Sequence, residues 1–264
     1  MLGAIAGDII GSGISPDDLQ TPNFPLFSAR STFSDDTVLT FATAQVLLEG
    51  GSYAAAYRTF ARRYPGRGYG SHFYRWAVSE DPRPYHSFGN GSAMRVSPVG
   101  FAFDDLETTL TEARRSAEVT HNHPEGIKGA QATALCILLA RQGADKKTIK
   151  GEVTKRFGYD LTRPVRLIRQ VNRFDQTCQG SVPEAISVFL ESVNYEDCIR
   201  LAISIGGDSD TIACIAGGMA QAFYGDLPGN IRQEVLARLP DEFKDILARF
   251  ESRFMVPRYL DGGG

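Results

Sequence analysis

From Ile127 to Leu139 the chain is apolar on nearly every side of a helical wheel, and such a helix is stable only where other elements enclose it. The rest of the sequence supplies that enclosure. Val38, Leu39, Ala42 and Val46 fall on one helical face, as do Ile212, Ile215, Met219 and Phe223, and later Phe243, Ile246, Leu247, Phe250 and Phe254. Leu106, Leu110, Ala113 and Ala117 mark another helix, and Cys198, Leu201, Ala202 and Ile205 one more. Alternating runs rich in Val, Ile and Thr are scarce, so the expected fold class is all-α. Gly3, Gly7 and Gly11 recur at every fourth residue of the first helix. Each costs about 1 kcal/mol of helix stability against alanine, and tight packing against a neighbouring backbone would offset that cost.

The 264 residues show no Pro/Ser-rich linker, charge block or internal repeat, so one domain spanning 1–264 is expected. A net charge of -3, with basic pairs such as Arg62-Arg63, Arg114-Arg115 and Lys146-Lys147 scattered along the chain, gives no reason to expect general nucleic-acid binding. The cysteines Cys136, Cys178, Cys198 and Cys214 form no C-x-x-C pair and read as buried thiols in a reducing compartment. The apolar N-terminus lacks a basic region and carries Asp8, which argues against a signal peptide. The strongly apolar run from Ala134 to Ala140 is too short to span a bilayer. A cytoplasmic monomer with no membrane contact is therefore expected. Irregular stretches rich in Gly, Pro, Asn and Ser fall at about 15–34, 64–71, 81–91 and 172–183, and loops on a rigid scaffold are where chemistry is expected.

Two acidic clusters stand before apolar helical runs: Ser34-Asp35-Asp36-Thr37 before Val38, and Asp208-Ser209-Asp210-Thr211 after the Gly206-Gly207 break. Either alone is also what a helix cap requires, because Ser, Thr and Asp satisfy the free N–H groups and suit the positive end of the dipole. Capping needs one acceptor, and each segment offers several. If the two helix starts converge, four carboxylates meet, and their repulsion calls for bound cations or protons. Hard divalent ions match carboxylate and hydroxyl oxygens, and neither cluster holds the Cys or His that would suggest zinc. In Ser87-Phe88-Gly89-Asn90-Gly91-Ser92 the glycines either form an ordinary turn or let backbone N–H groups approach a phosphate. His121-Asn122-His123-Pro124-Glu125 reads either as a polar helix start or as a ligand segment.

Together, GAIAGDIIGS (3–12), FSDDT (33–37), FGNGSAMR (88–95), THNHPEG (120–126) and SIGGDSDTIA (204–213) resemble the ADP-ribosylglycohydrolase family, in that family's order and over nearly the whole chain. YPGRGYGSHF (64–73) and DQTCQGSVPEAI (175–186) also look like family segments. The resemblance implies a compact all-helical domain with a cleft that binds two Mg²⁺ or Mn²⁺ ions through Ser34, Asp35, Asp36, Asp208, Asp210 and Thr211. Ser34 stands where threonine is frequent, and the hydroxyl is kept. The resemblance further implies that Ser87, Phe88, Gly89, Asn90 and Gly91 hold the pyrophosphate of ADP-ribose. His121 would line the same pocket, Phe88 would border the substrate, and the segment around Thr177 and Cys178 would wall the adenosine side. Asp35 and Asp36 are the candidates for handling the water proton, Asp35 also touching substrate. The implied reaction is hydrolysis at C1″ of the distal ribose, releasing ADP-ribose from a modified protein or another conjugate.

One position departs from the family pattern. Where many relatives carry a glutamate after the first helix, a gap-free count from Ser12 to Phe24-Pro25-Leu26-Phe27 places Ser15, which cannot serve as a carboxylate base. Asp17 and Asp18 lie nearby and either bend inward as substitutes or stay solvated. Three outcomes stay open: hydrolysis carried by Asp35 and Asp36, action on a different conjugate, or an ADP-ribose-binding module without turnover. A purely structural helical protein, with both acidic clusters as caps, is the remaining alternative.

Overall fold

The computed structural model describes residues 1–14, 24–171, 174–225 and 227–255, so Ser15, Asp17 and Asp18 lie outside the described residues. The chain forms α1 (Leu2–Ser12), α2 (Asp35–Glu49), α3 (Tyr53–Arg63), α4 (Ser71–Val78), α5 (Gly91–Met94), α6 (Ser97–Ala102), α7 (Leu106–Glu118) and α8 (Pro124–Arg141). It continues with α9 (Lys146–Phe157), α10 (Val165–Val171), α11 (Cys178–Glu191), α12 (Tyr195–Ser204), α13 (Ser209–Tyr224), α14 (Gly229–Arg238) and α15 (Asp241–Phe254). The all-α class expected from periodicity holds, and among the described residues the sole β-type pairing is one antiparallel bridge between Gly89 and Thr177. Among them too, no helix is long and apolar enough to cross a membrane.

Side-chain caps start many of these helices where the sequence offers an acceptor. Ser34 accepts from Asp36 N, Asp105 from Thr108 N, Asp145 from Thr148 N, Thr177 from Gly180 N and Asn194 from Asp197 N. The helix expected to begin at Val38 begins at Asp35, because Ser34 alone is the cap and both acids enter the first turn, where the dipole favours them. The irregular stretch expected over 172–183 is shorter than that. A helix starts at Cys178 and runs through Pro183, because α11 packs on α8 and α13 and that burial outweighs the breaker residues.

The segment that is apolar all round becomes α8, wrapped by α5, α6, α7, α9, α11 and α13. Beside it, α13 is enclosed by α1, α8, α11 and α12. The glycine repeat explains how closely α1 and α13 approach each other. Along α1, Gly3 lies against Gly217, Gly7 against Ala213 and Gly11 against Asp210, so α1 and α13 run antiparallel with their backbones in contact. A β-carbon on Gly7 would intrude on the Ala213 carbonyl and lie 2.8 Å from Cys214 N. Gly3 N donates to Gln221 Oε1 (2.7 Å), which ties α1 to α13 at this level, and Tyr195 Oη of α12 donates to Gly3 O (2.7 Å).

Gly7→Ala is expected to destabilise the protein by about 3 kcal/mol, although alanine is the better helix former. Gly151→Ala, exposed in the middle of α9 with open space around its Cα, is expected to add about 0.5–1 kcal/mol. Urea midpoints that move in opposite directions confirm the seam; a neutral Gly7→Ala overturns it.

Candidate active site

The face of α1 beside the glycine seam carries Asp8, a fully buried carboxylate in an otherwise apolar helix. Its two oxygens accept from Ser34 N (3.0 Å), Ser34 Oγ (2.6 Å), Thr37 N (3.2 Å) and the Thr37 hydroxyl. Asp8 thus grips the head of α2. Burial pushes its carboxyl up to about 6, against the opposing pull of the Ser34 and Thr37 hydrogen bonds. Sequence reasoning did not assign it a site role. Its signal was a carboxylate placed where a helix buries every neighbour.

The head of α13 reaches the same place by another route. Gly206 (φ 73°) and Gly207 (φ 70°) turn the chain through the left-handed region into Asp208, the N-cap residue of α13. Asp208 makes no side-chain cap bond to its own helix. Its Oδ2 instead accepts from Asn90 Nδ2 at 2.7 Å, across 118 residues. The two helix heads meet where Thr211 Oγ1 donates to Asp36 Oδ2 (3.4 Å). Capping alone does not account for the two clusters: Ser34 caps α2, while the carboxylates of Asp36 and Asp208 bond elsewhere.

Convergence raises the acids. Asp35 is pushed up to about 8 by burial, then by the charges of Asp8, Asp210 and Asp208. Asp36 is raised well above the carboxylate range by burial, then by Asp8, Asp35, Asp210 and Asp208. Asp208 is also raised, mainly by burial, with the Asn90 hydrogen bond opposing. Like charges held this close take up protons or a cation.

The glycine loop forms the opposite wall. Asn90 N donates to Gln176 O (2.8 Å) and Cys178 N to Phe88 O (2.9 Å), tying residues 87–91 to the segment before α11. The Asn90 side chain donates to Ser181 as well as to Asp208, so it joins this wall to the acids. His121 is buried behind the loop, with Nε2 3.1 Å from where a β-carbon on Gly91 would stand. A cleft of about 370 Å³ results. It gathers Ser34, Asp35, Asp36, Asp208, Asp210 and Thr211 from the two helix heads, and Ser87, Gly89, Asn90, Gly91 and His121 from the opposite wall. Phe88 does not line it: the ring is 46% exposed and rests edge-on against His123 at 5.4 Å. Of the segment around Thr177 and Cys178, it is the neighbour Gln176 that faces the cleft, while the Cys178 thiol is buried and donates to Gly89 O (3.0 Å). Tyr85, His72 and Arg95 also line the cleft, and sequence reasoning assigned none of them.

The oxygens available suit a hard divalent cation in kind. Asp36 Oδ1 is buried and accepts no hydrogen bond, and the hydroxyls of Ser34 and Thr211 flank the other oxygen of the same carboxylate. Among the described residues, no three Asp, Glu, His or Cys side chains close into a ready-made metal shell. Hydroxyls and solvent would therefore have to complete any coordination sphere.

Residues 1–259 match the sequence model of the ADP-ribosylglycohydrolase family. The chain is 28% identical to ADP-ribosylhydrolase ARH3 of Danio rerio, over 88% of this chain and 80% of the relative. Against ADP-ribosylhydrolase ARH3 of Homo sapiens it is 28% identical over 85% of this chain and 84% of the relative. Against ADP-ribosylarginine hydrolase Tri1 of Pseudomonas putida it is 26% identical over 85% and 69%. A solved chain of an ADP-ribosylglycohydrolase-related protein complex superposes with a TM-score of 0.70 over 96% of each chain at 24% identity, a likeness of fold.

Asp8→Ala leaves two N–H and two O–H donors at the head of α2 without their acceptor, and is expected to cost about 3 kcal/mol or more. Asp8→Asn turns an amide donor toward those donors and is also expected to destabilise. Denaturant midpoints check both, and an Asp8→Asn variant as stable as the parent refutes the gripping role.

Proposed function

The chain belongs to the ADP-ribosylglycohydrolase family, and from that premise we propose that it is a divalent-cation-dependent hydrolase that releases ADP-ribose from a modified acceptor. The observation that carries this reading is the Asn90–Asp208 hydrogen bond of 2.7 Å, which locks the glycine loop against the acidic helix heads in one cleft. The open glycine positions beside the buried charge of Arg95 suit a diphosphate on one side, and oxygen-rich acids on the other suit the hydroxyls and developing charge of a ribose.

Ser34, Asp35, Asp36, Asp208, Asp210 and Thr211 are the residues that would hold two Mg²⁺ or Mn²⁺ ions. Bound there, the ions would neutralise the clustered carboxylates and supply Lewis acidity toward sugar hydroxyls and water. The remaining chemistry belongs to the chain. The bond between C1″ and the acceptor breaks, water oxygen bonds to C1″, and the acceptor leaves with a proton. Asp35 and Asp36 accept and pass on the water proton, and the neighbouring carboxylate charge stabilises oxocarbenium character at C1″. We assign substrate contact to Asp35, which is half-buried and lines the cleft.

Ser15 favours a second reading, an ADP-ribose-binding module without turnover, because a hydroxyl stands where many relatives carry a glutamate. Incubation with serine-linked, arginine-linked and nucleic-acid-linked ADP-ribose in Mg²⁺ or Mn²⁺ separates the two. Release of free ADP-ribose from at least one conjugate is expected, lost in chelator and reduced about 100-fold or more in Asp208→Ala. Binding without release from any of them establishes the module instead, and failure to bind ADP-ribose sinks both. Ser15→Glu is expected to raise turnover if the missing carboxylate limits the rate.

A further inference from the structure

We propose that Arg95 and Thr120 are positioning residues that hold His121 as its Nε2–H tautomer, so that a neutral imidazole N–H is presented to an anionic diphosphate at the Gly89–Gly91 loop. The identity of that ligand rests on the function proposed above; the relay itself rests on geometry alone.

Arg95 is fully buried at the base of the cleft, and no ion pair among the described residues neutralises it. Its guanidinium lies over the Tyr57 ring (4.1 Å to the centroid), and one terminal nitrogen donates to Ser116 O (2.8 Å) and Thr120 Oγ1 (2.9 Å). Its Nε and other terminal nitrogen find no acceptor. A buried cation without a carboxylate partner is costly, and it favours an anion in the adjoining cavity.

The Arg95–Thr120 bond decides the tautomer. Arginine only donates, so Thr120 Oγ1 accepts from it. The single hydroxyl hydrogen of Thr120, itself buried, then has the His121 Nδ1 atom at 2.7 Å as its acceptor. Were Nδ1 protonated instead, that hydrogen would have no acceptor, at the usual cost of a buried unsatisfied donor. Nδ1 as acceptor places the ring proton on Nε2. Nε2 is the atom that faces the loop, 3.1 Å and 3.5 Å from the β-carbon positions of Gly91 and Gly89. Burial, and then the charge of Arg95, hold the imidazole well below its usual range, so the ring faces the loop uncharged. The absence of side chains at Gly89 and Gly91 leaves a ligand oxygen room to reach that N–H.

Long-range ¹H–¹⁵N spectra of the ligand-free full chain, with His121 assigned by its loss in His121→Gln, are expected to show a protonated Nε2 and a bare Nδ1. Thr120→Val removes the hydroxyl and is expected to shift the ring toward the Nδ1–H tautomer and to weaken ADP-ribose binding about tenfold by calorimetry. Thr120→Ser is expected to restore both the spectrum and the affinity. A parent ring with Nδ1 protonated overturns the proposal, and so does a Thr120→Val ring of unchanged tautomer or an unchanged ADP-ribose affinity in that variant. The parent spectrum decides the relay even if Thr120→Val does not fold. If the parent binds no ADP-ribose, the proposed function falls, while the spectrum still judges the relay.

Discussion

The contact between α1 and α13 is the constraint on which the site depends. Three glycines on α1 let the two backbones touch along Gly3–Gly217, Gly7–Ala213 and Gly11–Asp210, so the end of α1 lies beside the start of α13. Asp8, one residue beyond Gly7, then projects from a helix whose position is already fixed, and it takes hold of Ser34 and Thr37. The heads of α2 and α13 are thereby brought together as a consequence of packing. Neither acidic cluster could assemble the cleft alone, because carboxylates repel. Apolar burial and close backbone contact elsewhere must hold them in place.

That arrangement sets stability against chemistry. The burial that raises Asp35 and Asp36 destabilises the protein wherever those groups must ionise. Such conflicts between local preference and global fold are expected at functional sites. The helix caps show where the conflict is resolved. A serine performs the ordinary capping task for α2, and an asparagine from a distant loop satisfies Asp208, which leaves carboxylate oxygens of the cluster unspent on secondary structure.

Much of this was legible in the sequence, because helical period, glycine spacing and paired acids are local patterns. The features that were not legible depend on residues far apart in the chain. Asp8 meets Ser34 and Thr37 across 26 and 29 residues, and within its own helix it is only a polar residue among apolar ones. Arg95 meets Ser116 and Thr120 across 21 and 25 residues. Phe88 was expected to border the substrate; Ser87 and Gly89 line the cleft while Phe88 is exposed outside it, an orientation that the residue types of the loop do not specify. Pro183 looked like the edge of a loop because propensity carries no information about the neighbours that bury α11.

The cleft is polarised, and the polarity bears on orientation. At one wall, the buried charge of Arg95 favours negative charge. At the other, Asp35, Asp36, Asp208 and Asp210 favour cations and hydroxyl donors. A uniform charge of either sign would be repelled at one end. A ligand that is anionic in the middle and rich in hydroxyls at its tip satisfies both walls in one direction only. Asn90 joins the two walls: its side chain donates to Asp208 while its backbone N–H donates to Gln176 O. On the function proposed above, discrimination between a phosphate end and a sugar end would follow from where the fold places charge, before any shape complementarity is considered.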